Sequence, residues 1–267
     1  MNTKLFITLI FISLSFAAAT AANDDREEAA RIVARIQRAD YEGDRAAMQR
    51  GYDELKPFME NEKLASRNRY WRGFAQWRRA INGFNDAVDA KEQEKDLNTA
   101  LDEFEIALEK DPNFVDAKLG MISCNGFLLF VEPKDEARRK ERIDRILALE
   151  KEATAMAPDN PRLIWVRGPI LWNSPPERGG GQDKAIQNYQ RGLDVCSKIK
   201  TSDDALEPSW GKPELMMNLA YCSLNGNSPD LNAAERYARN ALELVPYWHY
   251  VRDILLPQIV AAKAKVQ

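Results

Sequence analysis

The chain is patterned for helices along nearly its whole length. Apolar residues recur at i, i+3, i+4 and i+7 through long windows, and runs of alternating β-branched residues are missing. Ala, Glu, Leu, Arg and Lys dominate those windows, and all are good helix formers. Gly and Pro interrupt the pattern at Glu42-Gly43-Asp44, Asp111-Pro112-Asn113, Glu132-Pro133, Pro158 to Pro161, Ser174 to Gly181, Glu207 to Pro213 and Asn225 to Pro229. Breakers at such spacing mark turns between helices. They predict five helix pairs: 24–40 with 44–60, 66–87 with 94–110, 113–131 with 134–157, 161–172 with 181–198, and 212–225 with 230–245. A last helix from Trp248 to about Lys265 follows, which Pro257 should kink or divide.

The second helices share a frame. ALDEFEIALEKDP sets Ala100, Phe104, Ala107 and Pro112 at spacings of four, three and five, and AERYARNALELVP repeats them with Ala234, Ala238, Ala241 and Pro246. ILALEKEATAMAP keeps Ala153 and Pro158, with Ile146 in the first slot. AIQNYQRGLDV keeps Ala185 and Tyr189, with Gly192 in the third slot and no closing Pro. Small residues in such a frame let two helices approach closely, the aromatic fills the gap to the next repeat, and Pro stops the helix. These residues resemble the second helix of a tetratricopeptide repeat. Trp71, Phe74 and Ala75 stand near the W-x₂-L-G of its first helix, Leu219-Ala220 stands at the Leu-Gly, and Arg167-Gly168 keeps only the Gly.

The resemblance departs from the family in period. Pro112 to Pro158 is 46 residues and Pro158 to Pro246 is 88, against about 34 for each standard repeat. HEAT-type repeats have a similar period and are the weaker alternative. The resemblance implies an all-α, right-handed solenoid of helical hairpins, irregular because its repeats are long. A capping helix at the C-terminus would cover its last apolar face.

The first 22 residues read differently. Lys4 precedes an apolar run from Leu5 to Phe16, and Ala19-Thr20-Ala21 fits a signal-peptidase site. The run is shorter than the roughly 20 residues a membrane-spanning helix needs. A signal peptide over 1–22, cleaved near Ala21, is therefore expected, followed by one helical repeat domain over 23–267. An uncleaved N-terminal anchor is the other reading. No cysteine stands at the cleavage point to carry a lipid, so the mature protein should be periplasmic or secreted, without membrane insertion.

Removing Lys4 with the leader leaves 37 basic against 41 acidic residues, which argues against a nucleic-acid partner. Cys124, Cys196 and Cys222 are odd in number and widely spaced, as free thiols would be, although one bridge is possible in an oxidising compartment. His249 is the only histidine, so a His-rich metal site is ruled out, and it reads best as part of an aromatic cap. No nucleophile or acid–base pair falls into a recognisable motif, so neither a cofactor nor an enzymatic activity is expected.

Binding residues are sought on the first helix of each pair, because those helices line the concave side of a solenoid. Helix 66–87 buries Tyr70, Phe74, Trp77 and Ile81 on one face and gathers Arg69, Arg72 and Arg79 on another. Three guanidinium forks in a stripe suit a carboxylate, a phosphate or an acidic peptide. The plainer reading is a helix face that pairs with Asp or Glu of the next helix. Trp165 and Trp172 lie seven apart on one helical face, with Arg167, Gly168 and Pro169 between, and a loop carrying Arg178 and three glycines follows. That loop could expose amides to an anion, wall a pocket floored by the two Trp rings, or serve only as a hinge.

The family resemblance implies an exported adaptor that docks a peptide or partner protein on its concave face. The alternative is a periplasmic component, associated with a solute transporter, that binds a small acidic or apolar ligand.

Overall fold

The computed structural model describes residues 24–132 and 135–266. The expected signal peptide lies outside them. All regular elements of the described residues are helical. The first pair is α1 (24–42) and α2 (Arg45–Glu54), the second α3 (Ala65–Gly83) and α4 (Ala90–Lys110), the third α5 (Val115–Val131) and α6 (Glu136–Met156). The fourth is α7 (Pro161–Asn173) and α8 (Gln182–Cys196), the fifth α9 (Lys212–Asn225) and α10 (Leu231–Leu244). A π-helical stretch, Tyr250–Leu255, runs into α11 (Leu256–Ala264). Pro257 has no amide proton to donate and its ring crowds the carbonyl four residues earlier, so the wider π turns absorb it. The last helix is locally rewound, and not broken.

Short polar side chains set the helix starts. Asp44, Asp89, Asp135, Asn160 and Asp230 each accept a hydrogen bond from a first-turn amide. In the first pair, Pro57 ends the α-helical run early, and Lys56–Glu60 is a 3₁₀ turn.

The repeated frame does the packing that its residue types suggest. Ala100, Ala107, Ala153, Ala185, Ala234, Ala238 and Ala241 are all fully buried where helices cross. The Phe104 ring of α4 is seated between Gly73 of α3 and Gly120 of α5; a Cβ on either glycine would come within 2.8 or 2.4 Å of it. Aromatic and small residues thus interlock successive pairs, and α1, α3, α5, α7 and α9 are left facing a common axis.

Candidate functional site: the axis of the array

Residues from each first helix mark a layer across this axis. Arg78 Nε on α3 donates to Asp40 of α1 at 2.8 Å, and Trp77 Nε1 donates to Ser123 Oγ of α5 at 3.1 Å. The Trp77 ring meets that of Trp165 of α7 with centroids 6.0 Å apart. Tyr41, next to Asp40, donates to Glu214 of α9 at 2.6 Å, and the second oxygen of Glu214 accepts the Gly211 amide. Arg78 and Glu214 are almost wholly buried. Burial pushes the Glu214 carboxyl above its usual range, against the opposing pull of Arg78, and pushes the Tyr41 phenol up as well. The first, second and fifth pairs are closed on one another through this layer.

Below the layer the axis is filled by the chain itself. The fifteen residues joining α8 to α9, Ser197 to Gly211, thread back between the first helices. Leu206 and Trp210 are buried there. Trp71 Nε1 donates to the Leu206 carbonyl at 2.8 Å, and Trp210 Nε1 donates to Tyr70 Oη at 2.9 Å. The Trp210 ring packs on Phe74, Trp77 and Trp165. Arg67 bonds Glu207, Arg26 bonds Asp204, and Arg162 reaches the Trp210 carbonyl. An open groove along the whole concave face, as the repeat pattern implies, is therefore absent among the described residues. The strap occupies its lower half.

Above the layer the array ends in aromatics. Phe84, which caps the end of α3, and Phe130, Trp172 and Tyr221 on α5, α7 and α9 stand seven residues beyond Trp77, Ser123, Trp165 and Glu214. Seven residues are two turns, so the four share one level about 10 Å further along. Phe84, Phe130 and Tyr221 are the exposed aromatic side chains among the described residues, and Trp172 is half-buried. Phe84 meets Phe127 of α5 at 5.5 Å and Trp172 meets Tyr221 at 6.3 Å, so the ends of α3 and α5, and those of α7 and α9, lie side by side. Two buried donors lack a partner near the layer: Trp165 Nε1 and Asn218 Nδ2.

The arginine stripe lies elsewhere. Arg69 and Arg72 both bond Glu103 of α4 at 2.8 Å, and Arg72 also stacks on Tyr52 and donates to its carbonyl. Arg79 bonds Asp96 and Glu92 of the same helix. The stripe is held against α2 and α4, facing away from the axis. Arg167 bonds Glu150 and Thr154 of α6. Arg178 is exposed on the 3₁₀ turn Pro176–Arg178. Of the sequence candidates, only Trp165 and Trp172 face the axis. They do not form one floor: Trp165 joins the buried cluster around Trp210, and Trp172 joins Tyr221 at the mouth.

The glycine loop after α7 does not present its amides outward. The amides of Gly179, Gly180 and Gly181 donate to the carbonyls of Pro176, Pro175 and Leu171. The loop spends its donors on its own turn, which removes the basis for an anion site there. All three cysteines are unpaired; Cys124 and Cys222 are buried and Cys196 is half-buried. His249 packs against Gly43 and bonds Asp253 at 2.9 Å in the terminal cap. No three His, Cys, Asp or Glu side chains among the described residues converge as metal ligands. No helix among them is long and apolar enough to cross a membrane.

No protein-family model and no curated protein matches the chain. Two solved structures are similar in fold. The HusA haemophore from Porphyromonas gingivalis superposes with a TM-score of 0.58 at 17% identity, over 75% of this chain and 94% of its own. TTC0263, a thermophilic TPR protein of Thermus thermophilus, superposes with a TM-score of 0.57 at 15% identity, over 88% of this chain and 99% of its own. The fold is TPR-like.

Proposed function

We propose that the protein is an exported binding scaffold without catalytic activity, and that it takes an apolar group of a partner protein into the aromatic mouth of its axis. The observation that carries this reading is the ring of Phe84, Phe130, Trp172 and Tyr221. Three exposed large aromatics and a half-buried tryptophan at the ends of neighbouring helices are what an array in water avoids unless something covers them. With the lower axis occupied by Leu206 and Trp210, an extended peptide lying along the whole concave face is disfavoured, and a compact apolar anchor is favoured. The leader-like residues 1–22 support export.

A second reading has a specific observation behind it. Aromatic side chains gathered at the ends of the first helices also suit a small planar apolar ligand, and one structure of similar fold is a haemophore. Site-specific photocrosslinking separates the two. A benzophenone side chain at position 130 or 221 should give a discrete protein adduct in cells, and one at the remote position 239 should give none. A saturable haem titration, lost in the Phe130→Ala/Trp172→Ala double variant with no protein adduct, would establish the small-ligand reading instead. Failure of both overturns the mouth as the binding site.

A further inference from the structure

The helices that carry Trp165 and Asn218 run side by side. A Cβ on Gly211, at the start of α9, would lie 3.4 Å from Arg162 Cγ at the start of α7. Ten residues further along each helix, the rings of Trp172 and Tyr221 meet. Both contacts have the same offset in sequence, so Trp165 is level with Glu214, and Pro169 with Asn218. Four residues turn a helix by only about 40° beyond a full circle, so Pro169 and Asn218 stay near the axis-facing side, one turn above the layer. Ile81 and Phe127 stand at the same height, four residues beyond Trp77 and Ser123. Side chains regain exposure here: Pro169 is exposed, and Ile81, Phe127 and Asn218 are half-buried.

Three polar groups are left over between the layer and the mouth. Trp165 is only 7% exposed, and its indole N–H is buried without a partner among the described residues. Asn218 Nδ2 is buried and unpartnered as well. Donors of both kinds nearly always find an acceptor when buried. The third group is the Trp165 carbonyl. A helix satisfies such a carbonyl with the amide four residues on, and Pro169 has no amide proton to give. Two donors and one acceptor remain, all of them neutral. The charges beneath are in acidic excess, since Arg78 bonds Asp40 and also faces the Glu214 carboxyl. A further anion there would meet two carboxyls against one cation.

We propose that the apolar group entering the mouth carries an uncharged amide. Its oxygen accepts from Trp165 Nε1 and Asn218 Nδ2, and its N–H donates to the Trp165 carbonyl. This inference rests on the mouth reading and supplies the polar half of the ligand. The aromatics at the helix ends hold the apolar body, and the three neutral groups beneath select an amide over a hydrocarbon or an acid.

The test follows the indole N–H signals of the full mature chain by nuclear magnetic resonance, with the Trp165 signal identified by its loss in Trp165→Phe. Hydrocinnamamide, hydrocinnamate and propylbenzene are titrated in turn. The amide is expected to move the Trp165 signal saturably and to bind more tightly than the other two. Asn218→Leu should weaken the amide roughly fivefold, as loss of one neutral hydrogen bond does, and leave propylbenzene unchanged. Trp165→Phe, which keeps a ring and removes the donor, should weaken the amide alike. Retained propylbenzene binding shows that either variant is folded. Whether the natural amide belongs to a protein or to a small molecule is read from the protein adduct at position 130. Three results overturn the inference and leave the mouth reading standing: propylbenzene or hydrocinnamate binding as tightly as the amide, a loss in Asn218→Leu shared by all three probes, or a Trp165 N–H that meets only a resident water and ignores the amide. Silence of all three probes, together with no adduct at position 130, overturns both.

Discussion

The ring of Tyr189 on α8 lies over Gly168 on α7, so close that a Cβ on that glycine would fall 2.0 Å from the ring. The contact fixes the closest approach of the fourth helix pair. Gly168→Ala should therefore cost about 1–3 kcal/mol, the usual range for overpacking a rigid core. Adding Tyr189→Leu should recover part of that loss, because residues in contact couple. Urea denaturation of the single and double variants measures both effects.

Arg78 is buried among carboxylates and rings, bonded to Asp40 and opposite Glu214. Arg78→Met fills a similar volume but leaves those carboxylates without their cation. A loss of about 3–5 kcal/mol is expected, as for other broken buried pairs. The same denaturation assay checks it, and a loss below about 1 kcal/mol would contradict the role given to this layer.

Burial raises the Glu214 carboxyl above its ordinary value. The folded state then holds this proton more tightly than the unfolded state does. Glu214 contributes most to stability below the unfolded value, and that contribution is lost as pH rises through the folded one. The stability of the wild type relative to Glu214→Gln should accordingly fall as pH increases above about 4.3. Parallel urea titrations from pH 4 to pH 8 would show the slope, and a rising difference would refute it.

Burial also separates the thiols. Cys222 is pushed up to about 12, Cys124 is raised too, and both side chains are covered. Cys196 is raised by burial as well, but it is only half-buried and so within reach of a reagent. At pH 8, an aromatic disulfide reagent should modify one thiol in the native protein, Cys196, and all three only after unfolding. Loss of the native signal in Cys196→Ser identifies it.

Helix positions are legible in the residues because periodicity, caps and breakers agree; the predicted start at 161 and end at 225 recur in α7 and α9. That the Phe104 ring fills a gap between helices is legible as well, since the frame of small and aromatic residues implies it; its seats at Gly73 and Gly120 come from the packing. The partners of Arg69, Arg72 and Arg79 are those of the plainer alternative, acids on the following helix. The strap escapes the pattern, because Ser197 to Gly211 has no helical period. One signal is available: connections between packed helices usually run about 2–8 residues, and this one is longer and carries Leu206 and Trp210 four apart. The aromatic mouth needs the relative heights of four helices, and only packing supplies those. Trp165 and Trp172 reveal one column of it.

In most repeat arrays each unit touches only its neighbours, and such chains can come apart from one end. The strap alters that behaviour. Trp210, between the fourth and fifth pairs, is packed on residues of the second, while Tyr41 of the first is tied to Glu214 of the fifth. Melting any one of these pairs removes burial from another distant in sequence. Near- and far-ultraviolet circular dichroism should consequently report one shared unfolding transition. Cutting away the last helices should also loosen the first, so this molecule cannot be shortened repeat by repeat.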